Sequence, residues 1–373
     1  MSRSRSPPTF PYLLLILILA FPSLSNTTIT PSPILLPPLT GPYPIGLTHI
    51  EFVDPSRATN GSSPSLSSSS SPFRTLMLSV FYPTTPNPDP FSNPHSPSPP
   101  LAPQFPPLTS PRIDALLSLP AGTSARLLTR AYPHAPFPPP QTPTLLFSPG
   151  FGLARGLYTT LLSALAARGW TVVALDHPGD ALAVEYPDGT VALPRPGWEA
   201  WPLPTADVEE ALRENQGNRK IGVFGHSFGG AASVQMLADK PDLVAAAVDL
   251  DGYLYGPVVR DGVGTRKPVL VMGFPEHFAT DDPDAAAPGW PALRGWRRDF
   301  TVAGTVHESF SDVPVLADLL GEEPVGAVGG ARMVQIMEMY VDAFFRKFLL
   351  GADDESLLSG NSSTFPEVSL RRG

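Results

Sequence analysis

Ser227 stands where acyl-transfer chemistry is easiest to build. It is the centre of Gly225-His226-Ser227-Phe228-Gly229, between the apolar run at 221–224 and the small residues at 229–232. A GxSxG preceded by a strand and followed by a helix is a nucleophile elbow, a sharp turn that lifts a serine hydroxyl above the edge of a sheet. The small residues let the helix cross close to the strand, where larger side chains would collide. A glycine-rich strand-to-helix turn also suits a phosphate at the helix N-terminus. Neither GxxxxGK[ST] nor GxGxxG is present, however.

A serine hydroxyl needs a base, and the base needs an acid to orient it; in this arrangement they follow in the order Ser, acid, His. Of the seven histidines, His49, His95, His134, His177 and His226 precede Ser227, which leaves His277 in GFPEHF and His307 in FTVAGTVHESF. His307 follows the last strand-like run, on the edge where the elbow opens. It is the expected base, with His277 as the fallback. AAAVDLDGY offers Asp249 and Asp251 as the acid. Two apart on a strand, they point to the same side, and Asp249 lies roughly 6–7 Å further back into the sheet. Asp251 is therefore the expected acid, and Asp249 a buried carboxylate in need of hydrogen bonds.

The negative oxygen of a tetrahedral intermediate requires two N–H donors. Phe228, beside the serine, is expected to supply one. Phe151, in Ser148-Pro149-Gly150-Phe151-Gly152 after the run TLLFSPG, is expected to supply the other, a plain βα turn being the alternative there. In DGTVALPRPGWEAWPLP, Trp198 and Trp201 either line an acyl pocket, rest on a lipid interface, or cover the core.

From Pro143 onward, short apolar runs alternate with helix-like segments: TLLFSPG, a helix over 157–168, TVVALDH, KIGVFGH, a helix over 228–239, LVAAAVDLD, PVLVMGF, DFTVAGTVH and an amphipathic helix over 331–350. That alternation predicts βαβ units, a mostly parallel central sheet and helices on both faces. Upstream, residues 45–53 and 74–83 read as an antiparallel strand pair at a sheet edge. Proline and serine dominate about 54–73 and 84–142, which read as loops, and 352–373 reads as a polar tail. The expected organisation is one α/β domain over 26–351 behind a leader at 1–25.

That leader has Arg3 and Arg5, the apolar run LLLILILAF and Ser23-x-Ser25, the pattern of a secretory signal peptide. The apolar run is well short of the ~20 residues that span a bilayer. Asn-x-Ser/Thr sequons at Asn26, Asn60 and Asn361 agree with export. Cysteine is absent, so stability must come from the core. With 25 basic and 34 acidic residues the 373-residue chain carries a net charge of −9 and has no basic cluster in its body, which argues against a nucleic-acid partner. No HExxH or clustered ligand spacing implies a metal, and no cofactor is expected.

LLFSPGFGLARGLYTTLLSALAARGWTVVALDHPGDA, IGVFGHSFGGAA, VDLDGYLYG and TVHESFSD, with IEFVD, LSVFYPT and MGFPEHF, resemble the secreted platelet-activating factor acetylhydrolases, here of a fungal type. They are calcium-independent phospholipases A2 with the α/β-hydrolase fold. The similarity spans about 45–350 and implies Ser227 as nucleophile, Asp251 as acid, His307 as base, and Phe151 and Phe228 as oxyanion donors. It also implies hydrolysis of a short or oxidised sn-2 phospholipid ester and transient contact with a membrane or lipoprotein surface. The long serine- and proline-rich insertions depart from the better-known members, in regions that shape acyl and head-group recognition. A broader esterase, lipase or polyester hydrolase shares the same elbow. A non-catalytic hydrolase-fold binding protein is the reading from another class, against which an intact Ser, Asp and His argue.

Overall fold

Apolar runs buried along their whole length form the centre of the sheet. The structure, a computed structural model, describes residues 32–58, 71–84, 101–137, 143–195, 204–213, 221–263, 266–278 and 289–373. The leader at 1–25, Asn26, Asn60, Trp198 and Trp201 lie outside the described residues. In chain order come β1 (Ile34–Leu35), β2 (Ile45–Ala58), β3 (Phe73–Pro83), α1 (Ser110–Leu116), β4 (Leu127–Leu128), β5 (Ala131–Pro133), β6 (Thr144–Ser148), α2 (Thr159–Ala167) and β7 (Thr171–Asp176). Then follow β8 (Val184–Glu185), β9 (Val191–Ala192), α3 (Thr205–Arg213), β10 (Ile221–His226), α4 (Phe228–Asp239), β11 (Val244–Leu250) and α5 (Val258–Asp261). The remainder is β12 (Val269–Gly273), β13 (Arg297–Val302), α6 (Val313–Leu320), α7 (Gly330–Phe345) and β14 (Val368–Arg372).

The main sheet runs β14-β13-β12-β11-β10-β6-β7-β3-β2-β5. Strands β6, β7 and β10 to β13 are mutually parallel, so the loops after them open on one edge. Alternate residues feed opposite cores: Leu145 and Phe147 join the cluster under α2 and α7, and Leu146 joins the cluster under α3 and α4. Burying both faces is what makes these strands continuously apolar rather than alternating.

One upstream expectation holds and two need correction. The expected antiparallel pair at a sheet edge is β2 and β3: β3 joins the sheet through β7, and outside β2 lies only the short β5, against Ile45–Leu47. Much of the segment read as loop at 84–142 is ordered: 101–137 carry α1, β4 and β5, and bury Phe105, Ile113, Leu127 and Ala131. Their apolar anchors are too irregularly spaced to register as a period, yet each finds a tertiary partner. The segment read as a polar tail supplies β14, antiparallel to β13, and buries Leu358, Phe365 and Val368. Arg371 and Arg372 pair there with buried Asp299, which explains why so polar a stretch forms a strand.

Candidate active site

The elbow forms because β10 must reverse into α4 within one residue. Ser227 takes φ 56°, ψ −122°, a region L residues rarely occupy, at a typical cost of about 1–3 kcal/mol. Its N–H donates to the Leu250 carbonyl at 2.9 Å, tying the turn to β11. A Cβ on Gly229 would overlap the Ser148 carbonyl oxygen, and one on Gly225 the main chain of Gly229, so the strand-helix crossing requires both glycines.

The structure brings Ser227, His307 and Asp251 together. His307 opens a 3₁₀ turn, His307–Phe310, after β13, and its Nε2 lies 2.9 Å from Ser227 Oγ. Its Nδ1 lies 2.5 Å from Asp251 Oδ2. Asp251 follows the end of β11 in a left-handed conformation, φ 57°. There its N–H donates to the Met272 carbonyl and its Oδ1 accepts the Phe274 N–H at 3.0 Å. Asp251 is fully buried, whereas the His307 side chain keeps 39% of its exposure. Burial lowers the basicity of His307, but the hydrogen bond and charge of Asp251 outweigh it, and the imidazole pKa is raised above 6.5. His307 thus has a base's environment: an acceptor on one nitrogen and a hydroxyl on the other.

Asp249 lies away from this contact. It is fully buried, and its Oδ1 accepts the Gly252 N–H at 2.8 Å, bracing the loop that carries Asp251. His277 falls in the turn Pro275–Phe278, its side chain outside the described residues, and the neighbouring segment serves Asp251 through the Phe274 N–H.

Phe151 and Phe228 face each other across the elbow, their rings edge-on with centroids 6.1 Å apart. Phe228 opens α4, where the first N–H groups of a helix have no intrahelical acceptor. The amides flanking Phe151 are committed, Gly150 N–H to the Tyr158 hydroxyl at 2.9 Å and Gly152 N–H to Asp180 Oδ1 at 2.7 Å. Exposed Tyr253 and Tyr255 stand nearby, the latter ring 6.4 Å from Phe228.

Two residues passed over in the sequence belong to this site. His226 Nδ1 lies 2.9 Å from the Tyr158 hydroxyl and its Nε2 3.1 Å from the His307 carbonyl. The His307 carbonyl can only accept, so the His226 Nε2–H donates to it, and the Tyr158 hydroxyl, which accepts from Gly150, has its own proton to give to Nδ1. Chain order removes His226 from the candidate bases but says nothing of this structural use, and Tyr158 carries no motif at all. Ligand atoms of His226, Asp251 and His307 lie within 4.8 Å of one another. Each of these side chains is nonetheless engaged in the hydrogen bonds just described.

A strained serine touching an imidazole that a buried carboxylate orients, on a sheet of this topology, is an arrangement suited to acyl transfer. The family model described as the alpha/beta hydrolase fold matches residues 143–301. A solved ferulic acid esterase from Streptomyces cinnamoneus is 29% identical, with a TM-score of 0.72, over 91% of this chain and 100% of that one. The chain is a carboxylic ester hydrolase with the α/β-hydrolase fold.

Its resemblance to the platelet-activating factor acetylhydrolases also holds. It is 29% identical to a probable 1-alkyl-2-acetylglycerophosphocholine esterase of the fungus Arthroderma benhamiae over 91% of this chain and 94% of that one. It is 23% identical to the platelet-activating factor acetylhydrolase of Cavia porcellus over 46% of this chain and 48% of the relative. Among the described residues, no helix is long and apolar enough to cross a membrane.

Proposed function

We propose that the chain is a secreted serine esterase that hydrolyses the short or oxidised sn-2 ester of a phospholipid in two acyl-transfer steps. His307 Nε2 takes the Ser227 proton as Oγ attacks the ester carbonyl, and the Nδ1–H bond to Asp251 stabilises the imidazolium. The N–H groups of Phe151 and Phe228 receive the negative oxygen. The intermediate collapses, His307 returns the proton to the departing alcohol, and water then attacks the acyl-serine by the same route to release the acid. The observation that carries the chemistry is the contact series Ser227–His307–Asp251 at 2.9 and 2.5 Å. Similarity to the fungal esterase along nearly the whole of both chains supports the substrate class.

A matched pair of phospholipids, one with an acetyl and one with a long sn-2 chain, tests this reading alongside methyl ferulate. Preference for the acetyl phospholipid is the expected result. Turnover of the ferulate ester with neither phospholipid cleaved would overturn the substrate in favour of a broader esterase. That second reading is favoured by the solved ferulic acid esterase and by exposed Tyr255 beside Phe228. Export is tested by sequencing the N-terminus of protein recovered from the medium, expected to begin after Ser25.

A further inference from the structure

A second Ser–His–Asp series lies beneath the first. Ser148 Oγ is 2.8 Å from His177 Nε2, and His177 Nδ1 is 3.0 Å from Asp207 Oδ2. All three side chains are buried, at 1%, 3% and 2% exposure. Arg74 grips Asp207 with two hydrogen bonds, at 2.6 and 2.5 Å, and Arg57 adds a third at 2.6 Å. Burial raises the Asp207 pKa, but the Arg74 charge and the His177 hydrogen bond overcome this and hold the group well below the usual carboxylate range. The Asp207 carboxylate can only accept, so it orients His177 through the Nδ1–H and leaves Nε2 facing the Ser148 hydroxyl.

This series does not repeat the chemistry of the first. Ser148 is the buried final residue of β6, its carbonyl pressed against the elbow where a Cβ on Gly229 would overlap it. Its place in the chain suggests the use. Ser148 begins the loop Ser148-Pro149-Gly150-Phe151-Gly152, and the turn after β7 holds that loop at both ends. His177 takes Ser148, and Asp180, whose N–H returns to the His177 carbonyl at 3.0 Å, takes the Gly152 N–H at 2.7 Å. Arg74 also donates to the Pro178 carbonyl, fixing the middle of the turn.

We propose that His177, oriented by Asp207, is a positioning residue that sets the oxyanion loop at the distance the tetrahedral intermediate requires. The proposal rests on Phe151 and Phe228 being the oxyanion donors and Ser227 the nucleophile. A donor displaced by about 1 Å fits the planar ester nearly as well as before but loses the tetrahedral oxygen, so the damage falls on turnover rather than on substrate binding.

The test is made on the full chain with p-nitrophenyl acetate and a phenylboronic acid, which forms a tetrahedral adduct with an active serine. His177→Phe and Ser148→Ala should each lower kcat, the former by about 100-fold, with KM within about twofold. Boronate affinity should fall in proportion to kcat. His177→Gln, whose amide can still reach Ser148, should regain most of both. Unchanged kcat and boronate affinity in His177→Phe would overturn the proposal. So would losses that track a lowered melting temperature in all three variants, since these would mark a merely structural network. Ser227→Ala is the separate control: near-background activity is expected, and substantial activity there would sink the active-site reading itself.

Discussion

His226 Nε2 lies 3.1 Å from the main-chain oxygen of His307, so the residue before the candidate nucleophile holds the backbone of the candidate base. His226→Phe keeps a ring in a place that already packs against Phe310 but removes the hydrogen bonds to His307 and Tyr158. Turnover should fall by about 10- to 100-fold, because small displacements of a base from its nucleophile are costly. Steady-state kinetics on a soluble acetyl ester check this, and a wild-type kcat would reduce His226 to a core residue.

Ser227→Ala and His307→Ala should each remove activity nearly completely, by as much as about a million-fold in kcat, because members of such a unit act together. Circular dichroism should show the fold retained. If His307→Ala turns over at a normal rate while His277→Ala does not, the base has been misassigned.

The two aspartates should separate cleanly. Asp251→Asn disrupts the tautomer and support of His307 and should cost about 10⁴-fold in kcat. Asp249→Asn affects the brace to Gly252 and should act through stability, by about 1–3 kcal/mol, read as a lower melting temperature. The reverse pattern would move the acid to Asp249.

The pH profile follows from the raised pKa of His307. Only the neutral imidazole accepts the serine proton, so the acid limb of kcat/KM should have its midpoint above 6.5. Asp251→Asn removes the group that raises it and should move that limb to lower pH. Stability runs the other way: the pair's contribution is complete below the unfolded value near 6.5 and is lost as pH rises through the folded pKa. Denaturation midpoints across this window should therefore decline where turnover increases, and that slope should flatten in Asp251→Asn.

The sheet and its reactive edge were legible because they are written in local patterns. Apolar runs between helical segments predict β6, β7 and β10 to β13, and GxSxG with the chain order of acid and histidine leads to the residues that meet at Ser227. What escaped depends on contacts distant in sequence. Alternation could not separate Asp249 from Asp251, because it puts residues two apart on one side; the structure separates them where Asp251 leaves the strand with φ 57°. Tyr158, His177 and Asp180 carry no motif, and their roles exist only once β6, β7 and β10 lie side by side. The strand β14 escaped because its arginines read as solvent-facing until Asp299 is placed beside them.

The strand that delivers His307 is splinted on both sides. β12 lies along one edge of β13, and β14 along the other, where the Ala303 N–H also donates to the Glu367 carbonyl four residues before the imidazole. An unpaired β13 would offer its outer edge to any passing strand. With β14 in place, the outer edge of β13 is paired and the histidine hangs from a clamped beam rather than a free one. The far margin of the sheet is thereby tied to His307: an antibody, a protease or a fusion that prises β14 away should disturb the imidazole without touching Ser227.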